Sequence, residues 1–203
     1  DLYNQKQDYD GYKLKTNGFG LAAGKSYGEY VSTSIKYSYD SSLSTDYTYT
    51  TITTVSTVSG TTTTTTTTGN TSLDEQLMLY GERITTSALT WSLARDSRDF
   101  YLDPKTGSKN SISVEYAGGP LGGDPNFVKT MADSAWYFPL FWDTVFMTRG
   151  RIGYVESLID KPVPINERFF VGGPTSVRGF RYGSAGPLDA EFNRIGGTKE
   201  VIF

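Results

Sequence analysis

Apolar and polar residues alternate along much of the chain with a period of two, the pattern of strands that bury one face. The clearest example is 31–39, where Val, Thr, Ile and Tyr alternate with Ser and Lys. The same alternation predicts strands over 19–23, 87–94, 111–117, 128–138 and 142–156, and a final turn and strand over 195–203. No long stretch has the 3.6-residue period of an amphipathic helix. The pattern therefore predicts an all-β antiparallel fold.

Glycine, proline and small polar residues mark the connections between these strands. Residues 1–16 alternate only loosely and are predicted as a strand end and a loop, and 24–28 as a turn. Pro104 and Gly107 predict a turn that joins two of the strands in a hairpin.

Residues 40–70 are rich in Ser and Thr and include eight consecutive threonines at 61–68. Threonine favours strands, but a homopolymer cannot specify register, because every one-residue slip looks the same. We interpret 40–70 as an extracellular loop, in which 47–58 is a candidate strand and the threonine tract is loop. A glycosylated mucin-like stalk is the alternative, although such stalks usually carry proline.

Residues 169–187 form the most distinctive loop, with five glycines and two prolines in nineteen residues. This content excludes a helix and a central strand. We interpret it as an ordered plug, with Arg178 directed at a carboxylate, which its planar guanidinium binds bidentately. The predicted anchors are the four bulky apolar residues Phe169, Phe170, Val177 and Phe180. A glycine-rich hairpin with a surface arginine is the alternative.

Arg149 and Arg151 fall on the same face of one predicted strand. Two charges are costly in a dry core but suit the wet lumen of a barrel, or the solvent face of a soluble sheet. Aromatic residues make up 14% of the chain, which either fold tolerates. Membrane-spanning strands alternate, so the lack of a long apolar run does not exclude a membrane.

Several kinds of chemistry are excluded by composition. The net charge of −3 offers no basic surface for nucleic acid. The chain has no His and no Cys, so serine and cysteine triads and the common zinc sites are impossible, and no cofactor or metal is expected. Asp96 and Asp99 lie beside Arg95 and Arg98, which favours charge pairing over a catalytic dyad. We expect no enzyme activity.

Two motifs resemble those of the BamA family of outer-membrane barrels. Gly172 and Gly173, followed by Val177, Arg178, Gly179 and Phe180, resemble the signature of the family's sixth loop. Asp96, Arg98 and Asp99 resemble its D-x-R-D turn. The resemblance implies that 1–203 is part of a 16-stranded transmembrane β-barrel, without strands at both ends and without the periplasmic polypeptide-transport-associated (POTRA) domains.

The function implied by the resemblance is assembly of other barrels in the outer membrane of Gram-negative bacteria. A client strand would add at a lateral seam, outside this chain, between the first and last strands. Expected partners are membrane lipids, nascent outer-membrane proteins and accessory assembly lipoproteins. The alternative in the same superfamily is a two-partner secretion transporter that exports a partner through the pore. TamA-type relatives and organellar homologues are further alternatives in the superfamily, and a porin and a soluble β-sandwich adhesin are alternatives outside it.

The resemblance also implies a role for Arg178. The arginine of this motif lies inside the barrel and binds acidic residues of the lumen wall, on strands beyond residue 203. Within this chain the lumen-side carboxylates are Glu115 and Asp133, and pairing with them is a hypothesis. Arg149 and Arg151 are the other charged residues predicted to face the lumen.

Overall fold

The computed structural model describes residues 1–9, 12–45, 51–58, 61–68, 71–174, 176–188 and 194–203. These ranges contain the strands β1 (Leu2–Tyr9), β2 (Tyr12–Tyr27), β3 (Val31–Thr45), β4 (Thr51–Val58), β5 (Thr61–Thr68), β6 (Arg83–Asp96), β7 (Gly107–Ala117), β8 (Phe127–Pro139), β9 (Val145–Ser157) and β10 (Lys199–Ile202). They also contain helix α1 (Thr71–Tyr80) and short 3-10 turns at Gly119–Leu121 and Ile165–Glu167. None of the helices in these ranges is long and apolar enough to cross a bilayer.

Eight strands form one antiparallel sheet in the order β1-β2-β3-β6-β7-β8-β9-β10. Strands β4 and β5 form a separate two-stranded sheet. Short turns at 28–30, 97–106 and 140–144 lie at one end of the main sheet, here called the short-turn end. The two longest connections, 46–82 and 158–198, leave the opposite end, here called the long-loop end. The prediction of an all-β antiparallel fold is confirmed.

One face of the main sheet, the outer face, carries most of the large apolar side chains. Register places Ile35 opposite Trp91, and Trp91 opposite Val114, so these side chains share a face. Ile35 is 52% exposed and Trp91 41% exposed, although both are large and apolar. Exposed apolar side chains that continue over several strands indicate a surface that contacts something apolar.

The other face, the inner face, has small and polar side chains over much of its area, and described residues of the connection 158–198 pack against it. The buried core lies between the inner face and this connection. Four inner-face residues pack with Val163 and Phe169 of the connection: Ala88, Ala117, Phe127 and Val155. A second cluster joins Leu14 of β2 to Ile165.

The strands are longer than the alternation predicted. Residues 24–28, predicted as a turn, mostly belong to β2, and 1–16, predicted as partly loop, contain β1 and the start of β2. Strand β3 continues to Thr45, into the segment 40–70 that was predicted as a loop. These extensions follow from pairing with neighbouring strands, which supplies hydrogen bonds even where the side chains alternate poorly.

The threonine tract also differs from its prediction as a loop. It forms β5, which pairs with β4 from Thr51↔Thr68 to Val58↔Thr61. Residues 46–50, 59–60 and 69–70 of this segment lie outside the described residues.

Candidate functional site: the inner segment and its arginine loop

The connection 158–198, here called the inner segment, is fixed to the sheet by Phe169. Phe169 is 6% exposed and packs on the bare backbone of Gly153 in β9. A Cβ at residue 153 would lie 2.7 Å from Cζ of Phe169, so only glycine leaves room for the ring. Backbone hydrogen bonds in both directions join Phe169 to Gly197. The predicted anchor Phe169 therefore occupies a socket in the wall.

An ion pair beside this socket joins the inner segment to β8. Nζ of Lys129 lies 3.4 Å from Oε2 of Glu167, and both side chains are less than 20% exposed. The same ammonium lies 5.4 Å from the centre of the Phe169 ring, within the range of a cation–π interaction. Glu115 lies opposite Lys129 in the β7–β8 register. Lys129 of the sheet therefore contacts both the Glu167 carboxylate and the Phe169 ring of the inner segment.

Arg168 joins two parts of the inner segment to each other. Its Nε donates to the carbonyl of Val163 at 2.9 Å, and its Nη1 donates to that of Ile195 at 3.3 Å. One guanidinium therefore holds the start and the end of the segment together. Its planar donors suit this double contact better than a lysine ammonium would.

Helix α1 closes over the start of the inner segment. The backbone N–H of Ile165 donates to Oε1 of the buried Gln76 at 2.6 Å. The Tyr80 hydroxyl donates to the Pro162 carbonyl at 2.9 Å, and Lys161 donates to the carbonyl of Leu79. All three contacts are hydrogen bonds, and Leu77 of the helix also packs against the cluster of Leu14 and Ile165, so polar and apolar contacts both hold the helix.

Gly172 and Gly173 make the sharp bend that leads to the motif. Their φ values are 126° and 97°, a region that side chains strongly disfavour. The Gly172 N–H donates to Oγ of Ser176 at 2.8 Å. A Cβ on Gly172 would overlap the carbonyl of Arg181, so the two limbs of the loop approach closely at this glycine. Glycine is required here for both conformation and space.

The motif itself lies at the tip of the loop. Val177 is half-buried, whereas Phe180 is 54% exposed, although both were predicted as anchors. Phe170 is half-buried and stacks on Tyr182 with ring centres 6.5 Å apart. Gly179 has a φ of 90°. Thr175 lies outside the described residues. The base of the loop is therefore packed more tightly than its tip.

Arg178 is exposed and shares a cavity of about 250 Å³ with Arg149 and Arg151 of β9. The Asp133 carboxylate accepts hydrogen bonds from Arg149 at 2.8 Å and from Arg151 at 3.1 Å. Arg151 also lies 3.9 Å from Glu200. In the described part of the chain Arg178 itself has no ion pair, and none joins it to Glu115 or Asp133. Three guanidiniums thus meet with fewer carboxylates than they can bind.

The second motif forms the turn between β6 and β7. Arg98 binds Asp96 bidentately, at 2.8 Å through Nε and 2.5 Å through Nη2, and this raises the pKa of Arg98. Asp99 accepts backbone hydrogen bonds from Thr106, Lys105 and Phe100, which hold its pKa below the usual range. The predicted charge pairing is present for Asp96, while Asp99 stabilises the turn through the backbone. The motif is therefore a structural one.

Three residues of this site were not predicted from the sequence. Gly153, Gln76 and Glu167 carry no motif, and their partners are distant in sequence. Only the glycine interrupting the alternation of β9 gave a signal, because a glycine within a strand often marks a close approach. Among the described residues, no group of His, Cys, Asp and Glu could hold a metal ion.

Comparison with known proteins extends the resemblance to the whole chain. The profile of the Omp85 superfamily domain matches residues 1–203. In solved structures, the chain is similar to BamA from Haemophilus ducreyi lacking POTRA domains 1-3, with a TM-score of 0.74 and 20% identity. That match covers 98% of this chain and 39% of the other. The eight-stranded sheet is thus part of the wall of a transmembrane β-barrel, with the outer face towards lipid.

Curated relatives match over about half of the chain. Sorting and assembly machinery component 50 homolog A of Xenopus laevis is 40% identical over 111 residues, 55% of this chain and 23% of that protein. The Homo sapiens homolog is 36% identical over the same length. Outer membrane protein assembly factor BamA of Nitratidesulfovibrio vulgaris is 35% identical over 120 residues, 59% of this chain and 15% of that protein. The matched part is therefore less than a quarter of each relative.

Proposed function

Because the chain belongs to the Omp85 superfamily, we propose that it is part of an outer-membrane protein that folds and inserts other β-barrel proteins. The observation that carries this proposal is the inner segment, fixed to the wall by Phe169 and Lys129 while Arg178 stays unpaired in the described chain. The names of the relatives, an assembly factor and sorting and assembly machinery components, support it. The proposed activity involves no catalytic group.

The proposed mechanism uses strand pairing. A client strand adds to an open edge of the barrel, where main-chain hydrogen bonds give affinity without sequence specificity. In this proposal the open edge is formed by strands outside residues 1–203. The POTRA domains and the binding sites for accessory lipoproteins are also outside these residues. These 203 residues supply part of the wall and the inner segment.

Arg178 is proposed to hold the inner segment to acidic residues on strands outside this chain. An unpaired guanidinium beside Arg149 and Arg151 repels them, so a carboxylate that bridges the cluster gains more than an exposed pair would. Gly172 and Gly173 set the direction of the loop, and Val177, Gly179 and Phe180 complete its tip. The arginine thus acts as a lock between two parts of the barrel.

The family places the protein in an outer membrane, and the bacterial outer membrane is the proposed location. The mitochondrial outer membrane is the second candidate, because two similar proteins come from Xenopus laevis and Homo sapiens, whose cells have no bacterial outer membrane. Fractionation of the source cells distinguishes the two locations.

Reconstitution of the full-length protein in liposomes tests the function. An unfolded outer-membrane barrel protein is added, and its folding is followed by the shift of unheated samples in gel electrophoresis. The wild type is expected to accelerate folding, and Arg178→Ala to slow it several-fold. Arg181→Ala is the control, because Arg181 is also exposed and lies three residues along the same loop.

Two results would change the conclusion. If Arg178→Ala matches the wild type in folding rate and in protease resistance, the arginine is not a lock. If the wild type leaves the client unfolded but passes an unfolded partner across the liposome membrane, the protein is a secretion transporter.

A further inference from the structure

The outer face contains a groove of about 420 Å³ across strands β6 to β9, here called the outer groove. Its floor is low because three small residues, Ala132, Ser134 and Gly150, lie side by side on β8 and β9. Larger side chains, Leu93 and Ile112 among them, form its sides. Each of the four strands has a neighbour on both sides, and Phe203, which follows β10, also lines the groove on the side of Gly150. Its volume is in the range of about 300–1,000 Å³ typical of small-molecule sites.

The outer-face side chains that line the groove are apolar except at the row nearest the short-turn end, and Ser111 and Asp133, which alternate to the inner face, line it as well. There, Arg95 and Asn110 are opposite each other, and Asn110 is opposite Ser134. The polar atoms of Asn110 and Ser134 are satisfied, because the Ser134 hydroxyl donates to Oδ1 of Asn110 at 2.6 Å and accepts from the Trp136 indole. One row inward, the lining changes to Leu93, Ile112, Ala132 and Ile152. The groove is therefore polar at one end and apolar along the rest.

Arg95 is the charged group at the polar end. Its one hydrogen bond within the described residues is a long one, 3.4 Å from Nη1 to Oγ of Ser108, and no carboxylate pairs with it there. A guanidinium has five N–H donors, so most of those of Arg95 are available. It is next to the last residue of β6, and Trp136 lies on the same face, one row nearer the short-turn end. Because tryptophan is enriched at membrane interfaces, we infer that this end of the groove lies near the interface. An unpaired cation at this depth suits a lipid phosphate.

We propose that the outer groove binds one glycerophospholipid, with the phosphate on Arg95 and an acyl chain along the apolar row. Two observations identify the occupant: the groove is continuous with the lipid-facing surface, and its charged end complements an anion at the depth where phosphates lie. The bound lipid would belong to the leaflet at the short-turn end. Its residence on the groove is longer than that of bulk lipid, because head and chain bind together.

Native mass spectrometry of the full-length protein in detergent tests the proposal. The probes are dioleoyl phosphatidylglycerol and dioleoylglycerol, which has the same chains and no phosphate. The wild type is expected to retain one phosphatidylglycerol and to bind dioleoylglycerol about tenfold less. Arg95→Gln is expected to lower phosphatidylglycerol occupancy about tenfold, and Ala132→Leu, which fills the floor and keeps the charge, to lower it to a similar extent.

Lys25→Gln is the matched control, because Lys25 is a cation on the same face near the same end but outside the groove. Equal losses for Lys25→Gln and Arg95→Gln would mean general attraction to interfacial cations and would overturn the site. Retention within twofold in Arg95→Gln or Ala132→Leu would also overturn it. If Arg95→Gln does not fold, Arg95→Lys, which keeps the charge but loses the planar fork, is expected to bind about threefold less, and unchanged binding would refute the role of the fork.

Discussion

Replacing Phe169 by alanine is expected to detach the inner segment from the wall. The ring is 6% exposed and belongs to the main buried cluster. Removing a buried phenylalanine costs about 3–5 kcal/mol. The upper half of that range is expected, because Gly153, on which the ring packs, has no side chain that could fill the space. Loss of the Lys129 contact adds to the effect.

Urea unfolding of the full-length protein in lipid vesicles measures this cost. Proteolysis under native conditions shows which part of the protein is destabilised, since the inner segment should become cleavable before the sheet. The matched control is Phe180→Ala, which makes the same substitution in the same segment at a side chain that is 54% exposed. A surface change of this kind is expected to alter the free energy of unfolding by less than about 0.5 kcal/mol.

The result that would refute the reasoning is a similar loss for both variants. It would mean that the tip of the loop holds the segment as firmly as Phe169 does. A small loss for both would mean that the segment is held by polar contacts alone.

Two further predictions concern the turns of the short-turn end. Gly107→Ala is expected to destabilise the protein by about 1–3 kcal/mol, because φ is 99° and the new Cβ overlaps the Ser97 carbonyl; Gly28→Ala, where φ is 65° and no atom lies within 4 Å, should cost less in the same urea titration. Asp99→Asn is expected to remove a stabilisation that exists above the ordinary pKa of 3.8 and disappears as pH falls through the lowered pKa of the folded state. Parallel urea titrations of the wild type and Asp99→Asn from neutral to acidic pH check this. A difference in the free energy of unfolding that widened on acidification would contradict it.

The strands were predictable from sequence because lipid-facing positions must be apolar while their neighbours need not be. Leu89, Trp91 and Leu93 show this in β6, and the structure places Trp91 and Leu93 on the exposed outer face. The ends of strands were less predictable, since pairing extends β2 and β3 through residues that alternate poorly. Local pattern therefore gives the existence of a strand, and the partner gives its length.

Helix α1 and the contacts of the inner segment were not predictable in the same way. The buried residue of the helix is a glutamine, Gln76, whose amide receives the N–H of Ile165. A polar residue at a buried position breaks the apolar stripe by which helices are recognised. Lys129 and Glu167 likewise carry no sequence signal, because their ion pair forms only when the inner segment folds back against β8. The motif residues show where the loop lies in the sequence. The contacts that attach the inner segment to the sheet and to helix α1 come from residues that belong to no motif.

The β4–β5 hairpin has a consequence for how the gene can vary. Because β5 consists of eight identical residues, deleting or duplicating a threonine leaves a tract of the same sequence to pair with β4. The hairpin shares no strand with the eight-stranded sheet, so these changes do not alter the register of the wall. The tract can therefore change in length while the pairing of the eight-stranded sheet stays constant.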